Sequence, residues 1–297
     1  MRKRGIYFLT ILSLIFAACS SNESDPEETN DDEPPQVVDK TQNLLSTGAS
    51  ANDILSNSNF DRLLIEATYA PGFRPTDEAM SNFQDYLRTH TFKTNIEVTY
   101  RELDATGEET LTLNEIDDLE QENRTAYNDG TTLAIYIFFA DAPSDGDDLD
   151  EGLVTLGAVY RNTSMVIFES TVKTLAGRSL LITTEDVETA TLNHEFGHLF
   201  GLVNLGTVPI NNHEDSEAEN HCNVDPCLMR AQLEFGPANK AIAVSHSKIH
   251  SSCSLNGNVL IEQMEFQVSR GNAATPELDA ECRLDLENNG GRPSIDS

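Results

Sequence analysis

The chain has 297 residues, of which 50 are acidic and 19 are lysine or arginine, so its formal net charge at pH 7 is −31. Such an excess of negative charge disfavours electrostatic binding to nucleic acid and to anionic lipid, and neither is expected as a partner. The part of the chain after about residue 50 is long enough to bury one sizeable core.

The first residues have the pattern of an export signal. A basic start at residues 2–4 precedes an apolar run over residues 6–16, and Phe16-Ala17-Ala18-Cys19 closes it. The run is shorter than the roughly 20 residues of a membrane-spanning helix, so residues 1–18 are predicted to be a signal peptide. The closing residues resemble a bacterial lipobox, which implies that Cys19 becomes a lipid-modified first residue. An ordinary secretory signal with an incidental cysteine is the alternative.

Residues 19–50 are predicted to form an acidic flexible tether. The stretch 20–36 holds three prolines and no basic residue, and such a composition cannot bury enough apolar surface to offset the entropy lost on ordering. Acidic residues soon after a lipobox resemble the surface-export signal of lipoproteins in the Bacteroidetes. That resemblance implies a protein anchored by lipid in the outer membrane and exposed at the cell surface, with the lipid as its only membrane contact.

Hydrophobic periodicity and helix-capping residues predict the elements of residues 51–204, an N-terminal sheet subdomain. In chain order they are a strand over 62–69, a helix over 76–90, a strand over 95–103, a helix from Thr112 to about Tyr127, a central strand over 133–140, a strand over 156–168 and a helix capped by Thr183 or Thr184. Strands alternating with helices predict an α/β (α+β) fold around a mixed sheet. Residues 205–297 are predicted to form a loop-rich C-terminal subdomain with a helix near 239–250.

The loop over residues 141–152 is strongly acidic. Its carboxylates are Asp145, Asp147, Asp148, Asp150 and Glu151. Carboxylate oxygens are ligands that Ca²⁺ accepts, so the loop is a candidate calcium site. The residues lack the spacing of a calcium-binding loop, and an acidic solvated turn is the simpler interpretation.

The predicted helix after Thr183 carries the pattern His194-Glu195-Phe-Gly-His198. Two histidines four residues apart project from one face of a helix, so both imidazoles can bind one zinc ion at about 2.0–2.1 Å. Zinc lowers the pKa of water towards about 7, and the neighbouring Glu195 can take the proton as water attacks a carbonyl. The pattern predicts a catalytic zinc site with Glu195 as general base. Polar residues on a helix face are the structural alternative.

The glycine that follows this pattern resembles that of the metzincin family. Gly201 lies three residues after His198, where a left-handed residue can end the helix and turn the chain back. The resemblance implies a metzincin-like catalytic domain whose third zinc ligand follows three residues after the glycine. That position is Asn204, whose neutral amide is a poor ligand. In metzincins the strand matching residues 157–162 lies at the sheet edge and pairs with extended substrate.

Two later histidines, His213 and His221, are the alternatives for the third ligand. His221 opens the run His221-Cys222-Asn-Val-Asp-Pro-Cys227-Leu-Met229, which resembles the run that contains the third zinc histidine in archaemetzincins. This resemblance implies His221 as the third ligand and Met229 as the methionine of a turn beneath the metal. His213 stays open as the other choice.

Four cysteines follow Cys19, namely Cys222, Cys227, Cys253 and Cys282. Outside the cytoplasm an even number of cysteines predicts disulfides, here two with three possible pairings. Archaemetzincins carry a paired C-x-x-C that completes a second, structural zinc site, and this chain has no such pair, so disulfides are the expectation. A site formed by His246, His250 and Cys253 is a further alternative, set against polar residues on a solvated helix.

These features together predict a zinc metalloendopeptidase, acting as a monomer on protein or peptide substrates. The strand–helix order and the run from Cys282 to Gly291 resemble membrane-anchored metalloproteases of the Bacteroidetes, in keeping with this function. One alternative is a non-catalytic surface lipoprotein that uses a metal-stabilised fold for binding or adhesion. Another is zinc-dependent hydrolysis of an amide bond in a non-protein substrate. Glu195 argues for catalysis, because a purely structural site needs no carboxylate beside its ligand.

Overall fold

The computed structural model describes residues 38–231 and 251–293. The predicted signal peptide, Cys19 and the helix predicted near 239–250 therefore lie outside the described residues. Within the described ranges, no helix is long and apolar enough to cross a membrane.

A six-stranded mixed sheet forms the centre of the fold. The strands in chain order are β1 (Arg62–Tyr69), β2 (Asn95–Glu102), β3 (Thr132–Phe139), β4 (Leu153–Arg161), β5 (Ser164–Ile167), β6 (Glu214–Asp215), β7 (Ala218–Cys222) and β8 (Ser251–Asn256). The sheet order is β2-β1-β3-β5-β4-β8, and β6 and β7 form a separate antiparallel pair. The first four strands of that order are parallel, whereas β4 is antiparallel to both β5 and β8. The predicted mixed α/β architecture is confirmed.

Helices cover both faces of this sheet. They are α1 (Ala51–Leu55), α2 (Asp77–His90), α3 (Leu113–Asn123), α4 (Glu169–Ala176), α5 (Thr184–Leu199), α6 (Gly257–Ser269) and α7 (Ala280–Asn288). Strand β3 shows the consequence: Ile135 and Ile137 join the main core with α2 and α5, whereas Tyr136 and Phe138 join a second cluster with Ile116 of α3. A strand buried on both faces is apolar at every position, which is why β3 was predictable from its sequence.

Capping residues determine where two of the helices begin. Thr112 and Glu115 form a capping box at the start of α3, as their spacing predicts. The helix ends at Asn123, earlier than predicted, because Arg124 leaves helical geometry and its buried guanidinium pairs with Glu120 at 2.6 Å. Thr183 forms a second capping box at the start of α5.

The segment predicted as one strand over 156–168 is instead the hairpin β4–β5. Its turn contains Asn162, which is fully buried and donates hydrogen bonds from Nδ2 to Gln42 O at 2.8 Å and Ser50 Oγ at 2.7 Å. A polar side chain inside the core therefore breaks the run, and periodicity alone gives no sign of its partners. The short helix α4, which follows β5, was not predicted.

The predicted tether extends too far into the chain. Within residues 38–50, Asn43 is fully buried against the sheet, and its Nδ2 donates to Ala134 O and to Thr163 Oγ1, both at 3.1 Å. Asn43 also accepts a hydrogen bond from Asn128 N at 3.0 Å. These long-range bonds order a segment whose composition predicts flexibility, so at least the end of the predicted tether belongs to the folded part of the chain.

The C-terminal residues share the core of the sheet. Strand β8 adds to β4, and Leu228, Met264 and Leu286 belong to the same buried cluster as the sheet residues. The helices α6 and α7, which were not predicted, supply two of these side chains. The described segments after residue 204 thus contribute to the core of the sheet.

Two buried carboxyl groups meet between α2, α4 and α5. Glu169 and Glu188 are both fully buried, and Glu188 accepts hydrogen bonds from the backbone N–H and the hydroxyl of Thr76. Burial, reinforced by the neighbouring Glu188, raises the pKa of Glu169 to about 10, although Lys173 Nζ lies 3.6 Å away. Glu169 is therefore protonated at neutral pH.

This pair predicts a stability that falls as pH rises. The pKa of Glu169 increases on folding from 4.5 to about 10. Its contribution to the stability of the fold is therefore complete below about pH 4.5 and is lost as the pH rises from there to about 10. Glutamine has no carboxyl group to ionise, so Glu169→Gln is expected to lose less stability than the wild type between pH 5 and pH 8. The difference between the two proteins is about 1–3 kcal/mol in the free energy of unfolding, measured by urea unfolding at both pH values. The matched control is Glu97→Gln, an exposed carboxylate, which should leave the pH profile unchanged. An equal loss of stability with pH in Glu169→Gln and the wild type would contradict the assignment.

Candidate metal centre

The helix that carries the predicted zinc motif is buried along most of its length. In α5 the residues from Val187 to Leu199 are all buried, so the helix has no solvated face in this stretch. Phe196 packs against Phe83 of α2 with ring centroids 5.2 Å apart, and against Phe200 at 5.0 Å. The apolar residues of the motif thus anchor the helix, and its two histidines are held in the interior.

The end of α5 has the geometry of a Schellman cap. Gly201 adopts a positive φ of 73°, its N–H donates to His198 O at 3.0 Å, and the next N–H donates to Gly197 O at 3.1 Å. A Cβ at Gly201 would lie 2.7 Å from Thr207 N and 2.9 Å from Ala51 Cβ. Only glycine fits this turn without strain, and the chain leaves the helix towards the segment that carries His221.

Three imidazoles meet beside this helix. The ring centroids of His194 and His198 are 5.0 Å apart. The ring centroid of His221 lies 5.5 Å from that of His194 and 5.1 Å from that of His198. One ring nitrogen from each residue lies within 4.8 Å of the other two. The structure therefore brings His221 of β7 to the two motif histidines, where a third ligand is needed, and metal binding itself stays a prediction.

Hydrogen bonds to carbonyl groups orient two of these rings. Nδ1 of His194 lies 2.6 Å from Leu228 O, and Nδ1 of His221 lies 3.0 Å from Glu219 O. A carbonyl oxygen only accepts, so each Nδ1 carries the hydrogen and each Nε2 keeps a lone pair. Burial and the nearby His221 lower the pKa of His194 to about 3, so this ring is neutral at pH 7. Burial also lowers the pKa of His198 and of His221.

The carboxylate of Glu195 lies against the backbone of β4. Glu195 is 1 % exposed, and a Cβ at Gly157 would lie 2.6 Å from its Cγ and 3.0 Å from its Oε1. The absence of a side chain at Gly157 is what allows the motif helix to approach the strand with a glutamate between them. The strand thus forms one wall of the centre.

A methionine lies against the other side of the helix. Met229 is fully buried, and a Cβ at Gly197 would lie 2.2 Å from its Sδ. The carbonyl of Met229 accepts a hydrogen bond at 2.7 Å from the N–H of Cys222, the residue that follows His221. The turn with Met229 and the strand with His221 are thereby joined, and the role of Met229 beneath a metal stays a prediction.

The other proposed third ligands lie elsewhere. His213 is buried, with Nε2 2.8 Å from Asp285 Oδ2 and Nδ1 3.3 Å from Cys222 Sγ, and it does not join the three imidazoles. Asn204 is exposed and donates from Nδ2 to Glu214 Oε2 at 2.6 Å. The hairpin β6–β7 separates the two histidines, because it directs His213 towards α7 and His221 towards α5.

The three cysteines whose side chains the structure describes form none of the predicted disulfides. Cys222, Cys227 and Cys282 are free thiols, and the Sγ atoms of Cys227 and Cys282 are 3.6 Å apart. The side chain of Cys253, like His246 and His250, lies outside the described part of the chain. The three described thiols and His213 are all buried, and Nδ1 of His213 lies 3.3 Å from Cys222 Sγ.

The acidic loop uses its carboxylates to hold its own backbone. Asp147 Oδ1 accepts from Thr155 N at 2.7 Å, and Asp148 Oδ1 accepts from the N–H groups of Asp150 and Glu151, each at 3.1 Å. These bonds are those of an ordinary polar turn. The calcium site suggested for the loop stays a prediction.

Several residues of the centre were not recognised from the sequence. Gly157, Gly197 and Asp285 act through contacts with residues far away in the chain, and glycine or aspartate in isolation carries no signal of such contacts. The glycine inside a strand was the one usable hint, since glycine there often marks a close approach of another group.

Comparison with known proteins shows a distant similarity in fold. No protein-family model matches the chain, and no curated protein sequence is similar to it. Among solved structures, an archaemetzincin from Methanopyrus kandleri is similar over 77 % of this chain and 96 % of its own, with 14 % sequence identity and a TM-score of 0.43. A similarity this distant carries no functional argument, so the function is argued from the chain's own residues.

The cap at Gly201 predicts a large cost for adding one methyl group. Gly201→Ala is expected to lower the free energy of unfolding by about 2–4 kcal/mol, because a left-handed alanine costs about 1–2 kcal/mol and its Cβ also overlaps Thr207. The control is Gly72→Ala, which has a φ of 83° but nothing within 4 Å of the added Cβ, and should cost only about 1 kcal/mol. Urea unfolding of both variants measures the difference. Equal losses would show that packing at Gly201 is unimportant.

Proposed function

We propose that the chain is a zinc-dependent metallopeptidase whose ion is held by His194, His198 and His221, with Glu195 as general base and acid. The observation that carries the proposal is the convergence of three buried imidazoles, one ring nitrogen of each within 4.8 Å of the others, beside a buried glutamate on the same helix. Export and lipid attachment at Cys19 belong to the proposal on the sequence of residues 1–19 alone.

The donor set fits zinc. Imidazole nitrogen is a preferred zinc ligand, and a set of three protein ligands leaves the fourth position for water or substrate, as catalytic sites do. The hydrogen bonds of His194 and His221 to carbonyl groups fix the tautomer that offers Nε2 to a cation. Both rings are neutral at pH 7, so no proton has to leave before a metal binds.

The protein's own residues would carry the proton transfers. When bound, a zinc ion lowers the pKa of water and polarises the carbonyl group of a substrate. Glu195 accepts the proton of the attacking water and delivers it to the nitrogen of the leaving amine. Because Glu195 lies between α5 and β4, its carboxylate is held in place by packing rather than by a flexible loop.

Strand addition at β4 is not expected while β8 is in place. In the described residues, β4 pairs with β5 on one side and with β8 on the other, so both of its edges are used. The register of β4 with β8 shifts between Thr155 and Ala158, next to Gly157 and Glu195. An extended peptide could pair with β4 in the metzincin manner only by displacing β8.

The rival hypothesis is a non-catalytic surface lipoprotein with a metal-stabilised fold. A buried glutamate beside a ligand adds nothing to such a site and costs desolvation, so its presence favours catalysis. Hydrolysis of an amide bond in a non-protein substrate would use the same residues, and the choice between these substrates is left to experiment.

Substitution of the general base separates catalysis from metal binding. Glu195→Gln is expected to lower cleavage of a mixed peptide library by about 10²–10⁴-fold with the zinc content unchanged, because only the proton acceptor is removed. Glu185→Gln, in the first turn of the same helix, is the matched control and should keep full activity. Zinc in both proteins without cleavage by the wild type would favour the binding protein or a non-peptide substrate. Absence of zinc from the wild type would refute the site.

The packing of β4 against the base gives a second test. Gly157→Ala is expected to lower kcat by at least about tenfold with zinc retained, because the new methyl group would displace the side chain of Glu195. Gly146→Ala is the control, since its added Cβ would make only an ordinary contact of 3.5 Å with Ser144 Oγ. Full activity in Gly157→Ala would show that the position of Glu195 is not set by β4.

A further inference from the structure

A group of buried polar side chains that the metal centre does not use lies beneath α3, on the other face of the sheet. Its members are Glu120 of α3, Tyr136 of β3 and Tyr160 of β4, and each is at most 4 % exposed. Both tyrosines belong to the second buried cluster, whereas the motif helix α5 packs in the main core. The sheet therefore separates this group from the three imidazoles.

Direct hydrogen bonds hold the carboxylate of this group in place. Glu120 Oε1 accepts from Ser164 Oγ at 2.7 Å and from Arg124 Nη1 at 2.6 Å. Ser164 lies opposite Tyr136 in the register of β3 with β5, and Tyr160 lies on β4, the other neighbour of β5. The carboxylate is thus fixed above the strands that carry the two tyrosines.

Three buried oxygen atoms of the group lack a hydrogen bond. Among the described residues, none offers a partner in hydrogen-bond geometry to Glu120 Oε2, Tyr136 Oη or Tyr160 Oη. Burial raises the pKa of both phenols, the carboxylate of Glu120 raises it further, and Tyr136 also raises the pKa of Tyr160. The three atoms are therefore near enough to act on one another, yet no direct hydrogen bond of ordinary geometry joins them.

Water has the hydrogen-bonding groups that these three atoms require. A buried polar atom without a partner is costly, and proteins satisfy such atoms with internal water that typically has about three partners. One water molecule can donate to Glu120 Oε2 and to Tyr136 Oη while it accepts from the hydroxyl of Tyr160. The nearby hydroxyl of Thr68 does not compete for this role, because it donates to Ile137 O at 3.3 Å and can only accept from Tyr136.

The charges around the group favour water over a cation. The carboxylate of Glu120 already pairs with Arg124, whose guanidinium lies 6.0 Å from the ring centroid of Tyr136. A cation beside Glu120 Oε2 would be repelled by the charge of Arg124. The group would also offer it three oxygen atoms, whereas calcium takes about six to eight.

We propose that a single water molecule is bound between Glu120, Tyr136 and Tyr160 as a fixed part of the fold. It completes the hydrogen bonds of the group and connects α3 to β3 and β4. Strand β4 also carries Gly157, which lies against Glu195 on the opposite face of the sheet. The site therefore supports the strand that forms one wall of the metal centre, and it does not depend on the peptidase hypothesis.

The test compares thermal unfolding of the full chain with that of conservative variants. Tyr136→Phe and Tyr160→Phe each remove one partner of the shared water molecule, so each is expected to lower Tm by about 2–6 °C. The double variant should lose less than the sum of the two, because both substitutions disrupt the same bound water molecule. Tyr100→Phe is the matched control, since its side chain is 36 % exposed, and it should change Tm by less than about 1 °C.

Other outcomes would overturn the proposal. If the phenol hydroxyls are buried without a partner, their removal should leave Tm unchanged or raise it. A loss confined to Tyr160→Phe would indicate a direct hydrogen bond to Glu120, and additive losses would indicate two separate sites. A wild-type Tm that falls when sodium chloride is replaced by choline chloride at equal ionic strength would assign a cation.

A crystal structure of the full chain, at a resolution that shows ordered water, tests the site directly. One water oxygen is expected about 2.6–3.2 Å from each of Glu120 Oε2, Tyr136 Oη and Tyr160 Oη. Direct contact between Tyr160 Oη and Glu120 Oε2, with no water beside them, would refute the site.

Discussion

The close approach of α5 to its neighbours is the constraint on which the rest of the centre depends. Gly157 on β4 and Gly197 on α5 each face a large side chain, and a single Cβ at either position would lie within 2.6 Å of Glu195 or Met229. The helix can therefore carry a glutamate on one side and pack on a methionine on the other. Because close-packed interiors relax little, the position of the histidines follows from these two contacts.

Burial then determines the chemistry that the centre can perform. In low-dielectric surroundings the imidazoles stay neutral, and the pKa of His194 falls to about 3, so the rings are held in the form that binds metals. The same effect at Glu169 favours a neutral carboxyl group and raises its pKa to about 10. Among the acidic residues that the structure describes, only a few are buried, and these stand out as sites with a specific neighbour.

Local sequence signals were enough to predict several helices and strands. Features that depend on contacts between distant parts of the chain could not be predicted. The capping box at Thr112 and the apolar run of β3 carry their structural meaning within a few residues, and both were predicted correctly. The burial of Asn43 and Asn162 rests on partners far away in the chain, so an ordered segment was taken for a tether and a hairpin for one strand. His221 was favoured over His213 through a resemblance in its flanking residues, since spacing alone left both possible.

His221 and Cys222 are neighbours in the short strand β7. The strand therefore links the three imidazoles of the metal centre to the buried group that contains His213 and the thiols. Nδ1 of His213 lies 3.3 Å from Cys222 Sγ, and the Sγ atoms of Cys227 and Cys282 lie 3.6 Å apart, farther than the about 2.0 Å of a disulfide. The carboxylate of the buried Asp285 holds the imidazole of His213 from the other side, with Oδ2 2.8 Å from Nε2. A strand of five residues cannot by itself fix the direction of the His221 side chain. The buried packing of Cys222, the next residue, holds this end of the strand in place.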